Sequence, residues 1–244
     1  MTSPLIPEVW DLVQRAGEQN CFVYDSLGPV DAPGVGEPLD RMTNLVPGSD
    51  ITAEQPTTSA QPTQGADGGV VGVDDWFDLS SFPADPSVIT LFAVWTTNSS
   101  TDNNGVISAR STGSAIVELF DNSGASQVRA QFIDSDGVGP DVVLSPIDSS
   151  SGYTAAVARL NKSAGEVSLH LVNQANGQQN ASGTATFTGD FDTSGNPRRI
   201  MNLASVDNWP LQGTLKNAGI ATADLGEDGA KALRDALATH HGII

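Results

Sequence analysis

From residue 70 to residue 222 the sequence repeats one pattern, in which short apolar runs alternate with clusters of Gly, Ser, Asn and Asp. Separators such as NSSTDNNG and DSDGVGP are turn signals. Runs such as AIVELF and EVSLHL alternate apolar with mixed residues, which predicts strands with one buried face. Regular strand spacing without intervening helices is typical of a β-sandwich. We predict strands at 70–73, 76–79, 88–96, 105–111, 115–120, 127–133, 153–161, 166–173, 179–187, 198–203 and 213–222.

A helix is predicted near each end of the chain. Residues 7–19 have Pro7 at a favourable first helical position, and Gly17 is expected to end the helix. Residues 226–241 carry an apolar stripe at helical spacing. The predicted fold is therefore all-β, an antiparallel sandwich with a short N-terminal helix and a C-terminal helix.

Residues 25–72 are rich in Pro and Gly and poor in large apolar side chains, which excludes long helices and central strands there. Two interpretations remain: an extended segment lying across the domain, or a flexible linker. We divide the chain into an N-terminal helix and extended attachment segment, 1–36, and a sandwich domain, 37–244.

Charge and cysteine content exclude several classes of protein. The formal net charge is −18, from 29 acidic and 11 basic residues, so binding to nucleic acid or to an anionic membrane is not expected. The single cysteine, Cys21, excludes a disulfide within the chain, and its apolar surroundings predict a buried, inert thiol. We find neither a secretory signal nor an apolar stretch long enough to span a bilayer, and expect synthesis in a cytoplasm.

Several segments occur in a familiar order. VGVDDWFDLS at 71–80 resembles the "FDGxDDYLDL" hairpin of concanavalin A-like and laminin G-like domains, as found in bacteriophage virion proteins. A polar stretch with a Gln-Pro element precedes it at 40–63. The apolar strand VITLFAVWTT, a "GxIxS" strand at 105–108, a hairpin pair at 153–173 and the element LQGTLKNAGI before the last helix follow. The resemblance covers roughly residues 40–240 and implies a concanavalin A-like jelly roll.

The resemblance also implies a function. It favours a non-enzymatic virion accessory protein, such as a capsid decoration, head spike or tail-associated subunit, localised to the virion. Its partners would be capsid or tail subunits and further copies of the chain in a homo-oligomer, with contact to a host-surface glycan as a secondary role. A free carbohydrate-binding module or lectin is the alternative, and a glycoside hydrolase is the third hypothesis. Attachment to the particle is assigned to the apolar face of the first helix: Val9, Trp10, Leu12 and Val13.

Two acidic turns are candidate calcium sites, because calcium takes six to eight oxygen ligands. Asp74 and Asp75 precede Trp76, and Asp134 and Asp136 open a second turn. In both cases the alternative is an ordinary turn whose carboxylates accept backbone N–H groups, which the abundance of Asp in turns favours. The second segment also lacks later residues of a calcium loop, so a solvated hairpin turn is expected there. No other cofactor is expected.

Trp76 and Trp209 are the candidate glycan-stacking residues. Arg198 and Arg199 form the only basic pair, expected to face solvent on an edge strand. A hydrolase of this fold needs paired carboxylates on one strand face. Glu118 and Asp121 are three positions apart and so face opposite sides, which argues against such a site.

Overall fold

Two antiparallel sheets face each other in the structure, a computed structural model that describes residues 5–28, 33–81, 85–98, 103–110, 115–193, 198–203 and 209–244. The first sheet contains, in spatial order, β14 (Gly177–Thr184), β13 (Glu166–Asn173), β12 (Thr154–Asn161), β7 (Val88–Thr97), β18 (Gly213–Ala221), β5 (Val70–Gly72) and β4 (Thr63–Gln64), with β1 (Cys21–Asp25) also paired to β18. The second contains β11 (Asp141–Leu144), β10 (Gln127–Ile133), β9 (Ile116–Asn122), β8 (Asn103–Arg110), β15 (Arg198–Ile200), β6 (Phe77–Leu79), β3 (Ala53–Glu54) and β2 (Arg41–Met42).

Two α-helices and a small third sheet lie outside these two sheets, together with 3-10 helices at Glu18–Asn20, Thr58–Ala60 and Ser123–Ala125. Helix α1 spans Pro7–Ala16, helix α2 spans Gly226–His240, and a small two-stranded sheet joins β16 (Asn202–Leu203) to β17 (Trp209–Pro210). The predicted antiparallel β-sandwich with a helix near each end is confirmed. In the described ranges, neither helix has the length and apolar character needed to cross a bilayer.

The main core lies between the two sheets and is built from alternate strand positions. In β13, Val167, Leu169 and Leu171 point into it, as the alternating run predicts. Leu119 of β9 meets them from the opposite sheet. The extended segment contributes as well, since its apolar residues Leu39, Met42, Ile51 and Ala53 are buried in this core.

A second core covers the other face of the first sheet. Helices α1 and α2 pack there, on residues such as Val94 and Val157. At Gly219 the chain needs glycine, because an added Cβ would lie 1.9 Å from the Phe92 ring. The first sheet is thus buried on both faces, which explains the nearly continuous apolar run of β7.

Helix α1 belongs to this second core. Val9, Leu12 and Val13 are at most 2% exposed, and Gly17 at φ 80° ends the helix with its N–H bonded to the Val13 carbonyl. The apolar stripe that the sequence assigns to an external partner is therefore covered by the chain itself. Trp10, the fourth residue of that stripe, is half-buried against the same core. Residues 1–4 and 29–32 of the segment 1–36 lie outside the described residues.

A buried ionic network holds α2 on the first sheet. Arg159 of β12 is 5% exposed at its side chain and donates two hydrogen bonds of 2.8 Å to the carboxylate of Asp224, just before the helix. His170 of β13 lies 3.2 Å from Glu227 and 2.9 Å from Asn180. These contacts give the C-terminal helix a fixed position, since bidentate ion pairs constrain geometry as well as distance.

Candidate functional site

One row of side chains crosses the whole second sheet on the face that points away from the main core. The strand register places these residues opposite one another, and their neighbours in each strand point into the main core. With strands about 4.8 Å apart, the row is about 34 Å long. We call it the charged row; its members in order are Asp141, Gln131, Glu118, Ser108, Arg199, Asp78, Glu54 and Arg41.

A buried carboxylate lies near the middle of the charged row. Glu118 is 0% exposed and accepts a 2.6 Å hydrogen bond from the hydroxyl of Ser108. Arg110, two residues beyond Ser108 on the same face, donates from Nη2 to Oε2 of Glu118 over 2.7 Å and also from Nε to Oε1. This fork fixes both the carboxylate and the guanidinium.

The next position combines a cation with an aromatic ring. The guanidinium of Arg199 lies 4.5 Å from the centre of the Trp76 ring and 3.3 Å from Oδ1 of Asp78. Trp76 is half-buried, and its Nε1 is buried without a hydrogen-bond partner in the described part of the chain. The expectation that Arg198 and Arg199 lie on an edge strand is wrong, because β15 pairs with β8 on one side and β6 on the other.

Each end of the charged row also has an arginine near a carboxylate, and at the Asp141 end the two form an ion pair. Arg129 forms an ion pair with Asp141, with Nε 3.2 Å from Oδ1, and its guanidinium lies 5.4 Å from the centre of the Phe120 ring. At the other end, Arg41 stands opposite Glu54 in the register of β2 and β3.

This face therefore differs in charge from the rest of the molecule. Arg110 and Arg129 lie on this face beside the charged row, so the face carries four of the eight arginines and four carboxylates. Its formal charge is therefore zero in a chain of net charge −18. Guanidinium groups only donate hydrogen bonds and ionised carboxylates only accept them. Their pairs present both kinds of group at fixed positions, which suits a ligand whose groups donate and accept together.

Asp74 and Asp75 lie in the turn before β6. Oδ2 of Asp75 accepts a 3.1 Å hydrogen bond from the Val73 N–H, while Asp74 is exposed. Burial raises the pKa of Asp75, and the neighbouring Asp74 adds to this. The bond from the Val73 N–H fits the turn interpretation, because Asp in turns commonly accepts such backbone groups.

Asp134 acts as a buried acceptor for backbone groups. It is 0% exposed and accepts four backbone N–H bonds of 2.8–3.1 Å, from Asp136, Val138, Thr188 and Gly189. Burial favours a higher pKa, but these N–H groups outweigh it and hold the pKa of Asp134 below its usual range. The expected solvated turn is instead joined to residues 188–189, and exposed Asp136 binds the Thr188 hydroxyl over 2.9 Å. Both oxygens of Asp134 are thus already used.

Two other candidate residues, Trp209 and Cys21, are not members of the charged row. Trp209 is half-buried in β17, and the residues before it, 204–208, are outside the described ranges. Cys21 is buried, and burial raises the pKa of its thiol to about 12, which suppresses the reactive thiolate.

The carboxylates considered for hydrolysis do not share a face. Glu118 points outward, whereas Asp121 points into the sandwich and accepts a 3.0 Å hydrogen bond from Nε1 of Trp95. Glu166 belongs to the other sheet and binds Arg159 over 3.2 Å. The three therefore lack the arrangement of a glycoside hydrolase pair.

Sequence reasoning did not find the charged row. Ser108, Arg110 and Glu118 occupy the polar alternate positions of predicted strands, so their direction away from the core was predictable. Which strands become neighbours is set by the sheet order, and β15 reaches its place beside β8 through a long connection. The periodicity of residues within one strand does not indicate which strands become its neighbours in the sheet.

No protein-family model matches the chain, and no curated protein matches it by sequence. Among solved structures, the IT-sialidase CBM40 of Ruminococcus gnavus is 13% identical, with a TM-score of 0.48 over 62% of this chain and 84% of that chain. Mouse laminin alpha1 chain domains LG4-5 are 13% identical, with a TM-score of 0.40 over 55% and 34%.

The NanB sialidase of Streptococcus pneumoniae is also similar, at 7% identity and a TM-score of 0.48 over 60% of this chain and 24% of that chain. All three likenesses lie below a TM-score of 0.5. What is inferred about this chain's site therefore rests on its own strand pairing, contacts and charges.

Proposed function

We propose that this chain is a non-catalytic carbohydrate-binding protein and that the charged row, together with Trp76, forms its glycan-binding surface. The observation that carries the proposal is the set of arginine–carboxylate pairs fixed side by side on one sheet face. A sugar presents many hydroxyl groups, each of which donates and accepts. A paired guanidinium and carboxylate can donate to and accept from such hydroxyl groups without rearrangement.

The strongest part of the surface lies around Arg199. Trp76 supplies an apolar ring of the kind on which sugar faces stack, and the Arg199 guanidinium holds that ring in place at 4.5 Å. Asp78 and Arg199 supply an acceptor and donors beside it, with their atoms 3.3 Å apart. An aromatic platform flanked by polar groups is a recurrent form of small-ligand site.

The position of the helices supports the same surface. Both helices pack on the first sheet, and in the described chain no helix lies over the charged row. Glu118 and Ser108 in the middle of the row are buried, so a ligand would meet the more exposed groups beside them, above all Trp76, Asp78 and Arg199.

The test is a screen of neutral and anionic glycans followed by titration calorimetry with the best binder. Because Arg110, Arg129 and Arg199 are each paired with a carboxylate, we expect neutral glycans to bind in preference to anionic ones. Arg199→Ala and Trp76→Ala should each weaken binding at least tenfold, since a hydrogen bond to a charged group contributes about 1.5–3 kcal/mol. Trp10→Ala, on the opposite layer, is the matched control and should bind normally.

Two results would contradict the proposal. One is binding that survives both substitutions on the charged row in folded protein, as checked by circular dichroism. The other is the absence of binding to every glycan; if the chain then sediments with phage particles in a lysate, the virion accessory role that the sequence resemblance implies would be favoured instead. That role stays a prediction.

A further inference from the structure

The last turn of α2 and the end of β1 bring three metal-ligating side chains together. Nε2 of His240 lies 2.9 Å from Oδ2 of Asp25, and Nε2 of His241 lies 3.6 Å from Oδ1 of the same carboxylate. One ligand atom from each residue lies within 4.8 Å of the other two. Asp25 is far in sequence from the adjacent His240 and His241, and meets them because β1 and α2 both contribute to the second core.

Two buried atoms at this position lack a partner. The His241 side chain is 1% exposed, and its Nε2 makes no hydrogen bond in the described structure although it faces Asp25. Asn217 stands opposite Asp25 in the register of β1 and β18, and its Oδ1 is likewise buried without a partner. Buried polar atoms are normally satisfied, so two such atoms at one place point to a missing ligand.

We propose that Asp25, His240 and His241 form a binding site for Zn²⁺ or a similar first-row divalent metal ion. In a tetrahedral zinc site with bonds of 2.0–2.1 Å, neighbouring ligand atoms are about 3.3 Å apart. The observed 2.9 Å and 3.6 Å lie on either side of that spacing. Two imidazoles with one carboxylate favour such metals over calcium or magnesium, which prefer oxygen ligands.

The surroundings suit a cation. The His241 side chain is 1% exposed, and a neutral imidazole offers a metal ion the lone pair of its unprotonated ring nitrogen. Asp25 is 4% exposed, and the Leu27 N–H holds its Oδ1 over 2.9 Å, which fixes the carboxylate. His240 is 30% exposed and lines a groove between α1 and α2, through which an ion can enter.

The proposed metal would join the first strand to the last helix. Its expected consequence is stability, because a ligand that binds only the folded chain shifts the unfolding equilibrium by mass action. The site lies on the first sheet, away from the charged row, and does not depend on the proposed glycan binding.

The experiment uses the full chain without a polyhistidine tag, stripped with a chelator and then titrated with Zn²⁺ by calorimetry. We expect one ion per chain, a higher melting temperature that the chelator reverses, and a tetrahedral spectrum when Co²⁺ replaces Zn²⁺. His240→Ala and His241→Ala should each weaken Zn²⁺ binding at least tenfold and remove that spectrum. His170→Gln removes the third histidine and Asp11→Asn an exposed carboxylate; both should leave the stoichiometry unchanged.

Substitution at Asp25 also removes the bond to Leu27, so His240→Ala, at a partly exposed position, gives the decisive result if the other variants do not fold. Zn²⁺ binding of unchanged affinity in folded His240→Ala protein would overturn the proposal. So would the wild-type chain taking up less than one ion in ten chains at saturating Zn²⁺.

Discussion

Leu12 is fully buried in the middle of α1 and provides a direct test of whether the N-terminal helix is part of the sandwich. Leu12→Ala removes a side chain that packs in the second core with residues of α2 and the first sheet. Leu-to-Ala changes in a core cost about 2–5 kcal/mol, depending on how far the cavity collapses. Helix propensity differs little between the two residues, so packing decides the result.

We expect Leu12→Ala to lower the free energy of unfolding by about 3 kcal/mol, measured by urea denaturation. Leu27→Ala is the matched control, since Leu27 is 56% exposed and the chemical change is identical. The control should change stability by less than about 0.5 kcal/mol. Tryptophan fluorescence and far-ultraviolet circular dichroism should report a single shared transition.

The competing hypothesis is a detachable attachment segment. In that case Leu12→Ala would behave like Leu27→Ala, and the signal of Trp10 in α1 would change at lower urea than the sheet signal. Either observation would refute the placement of α1 in the second core. It would also restore the apolar stripe of α1 as a surface for an external partner.

Two further substitutions test buried polar contacts. Asp134→Asn leaves one oxygen for four backbone N–H groups and should lower the free energy of unfolding by about 2–3 kcal/mol at pH 7. Because the pKa of Asp134 in the folded chain lies below the value of about 3.9 in an unfolded chain, the wild type should keep this advantage above about pH 4 and lose it as the pH falls through the folded pKa. Unfolding curves of both proteins from pH 7 to pH 2 check this. Arg159→Met leaves the half-buried carboxylate of Asp224 without its ion pair and should cost about 3 kcal/mol. Arg15→Met, in an exposed pair with Asp11, should cost less than about 1 kcal/mol, and equal melting temperatures for the two variants would contradict this.

The sequence predicted the features that depend on local pattern. Alternating runs such as β13 and the continuous run of β7 became strands, and Gly17 ended the first helix. These succeed because side-chain direction and helix termination depend on neighbours within a few residues. Asp141–Leu144 was missed as a strand because four residues between turn signals carry too little periodicity.

The predictions that were wrong concern residues whose surroundings depend on which distant segments meet in space. Arg198 and Arg199 look like an exposed edge pair, yet β15 occupies a position between two strands distant in sequence. Asp134 looks like a solvated turn residue, yet residues 188–189 come back to donate to it. The stripe of α1 looks unpartnered because α2, which lies at the other end of the chain, covers it.

The distribution of charge connects the candidate glycan surface with the predicted homo-oligomer. Because the outer face of the second sheet, which carries the charged row together with Arg110 and Arg129, has a formal charge of zero, the entire excess of 18 negative charges lies on the rest of the molecule. Two copies that approach through any other surface bring like charges together, and this repulsion is weakest where each presents the charged row. Self-association through that face would cover Trp76 and Arg199, so glycan binding and oligomer formation would compete for one surface. The neutrality of this face thus lowers the electrostatic cost of bringing a second acidic copy close, compared with an approach through any other surface.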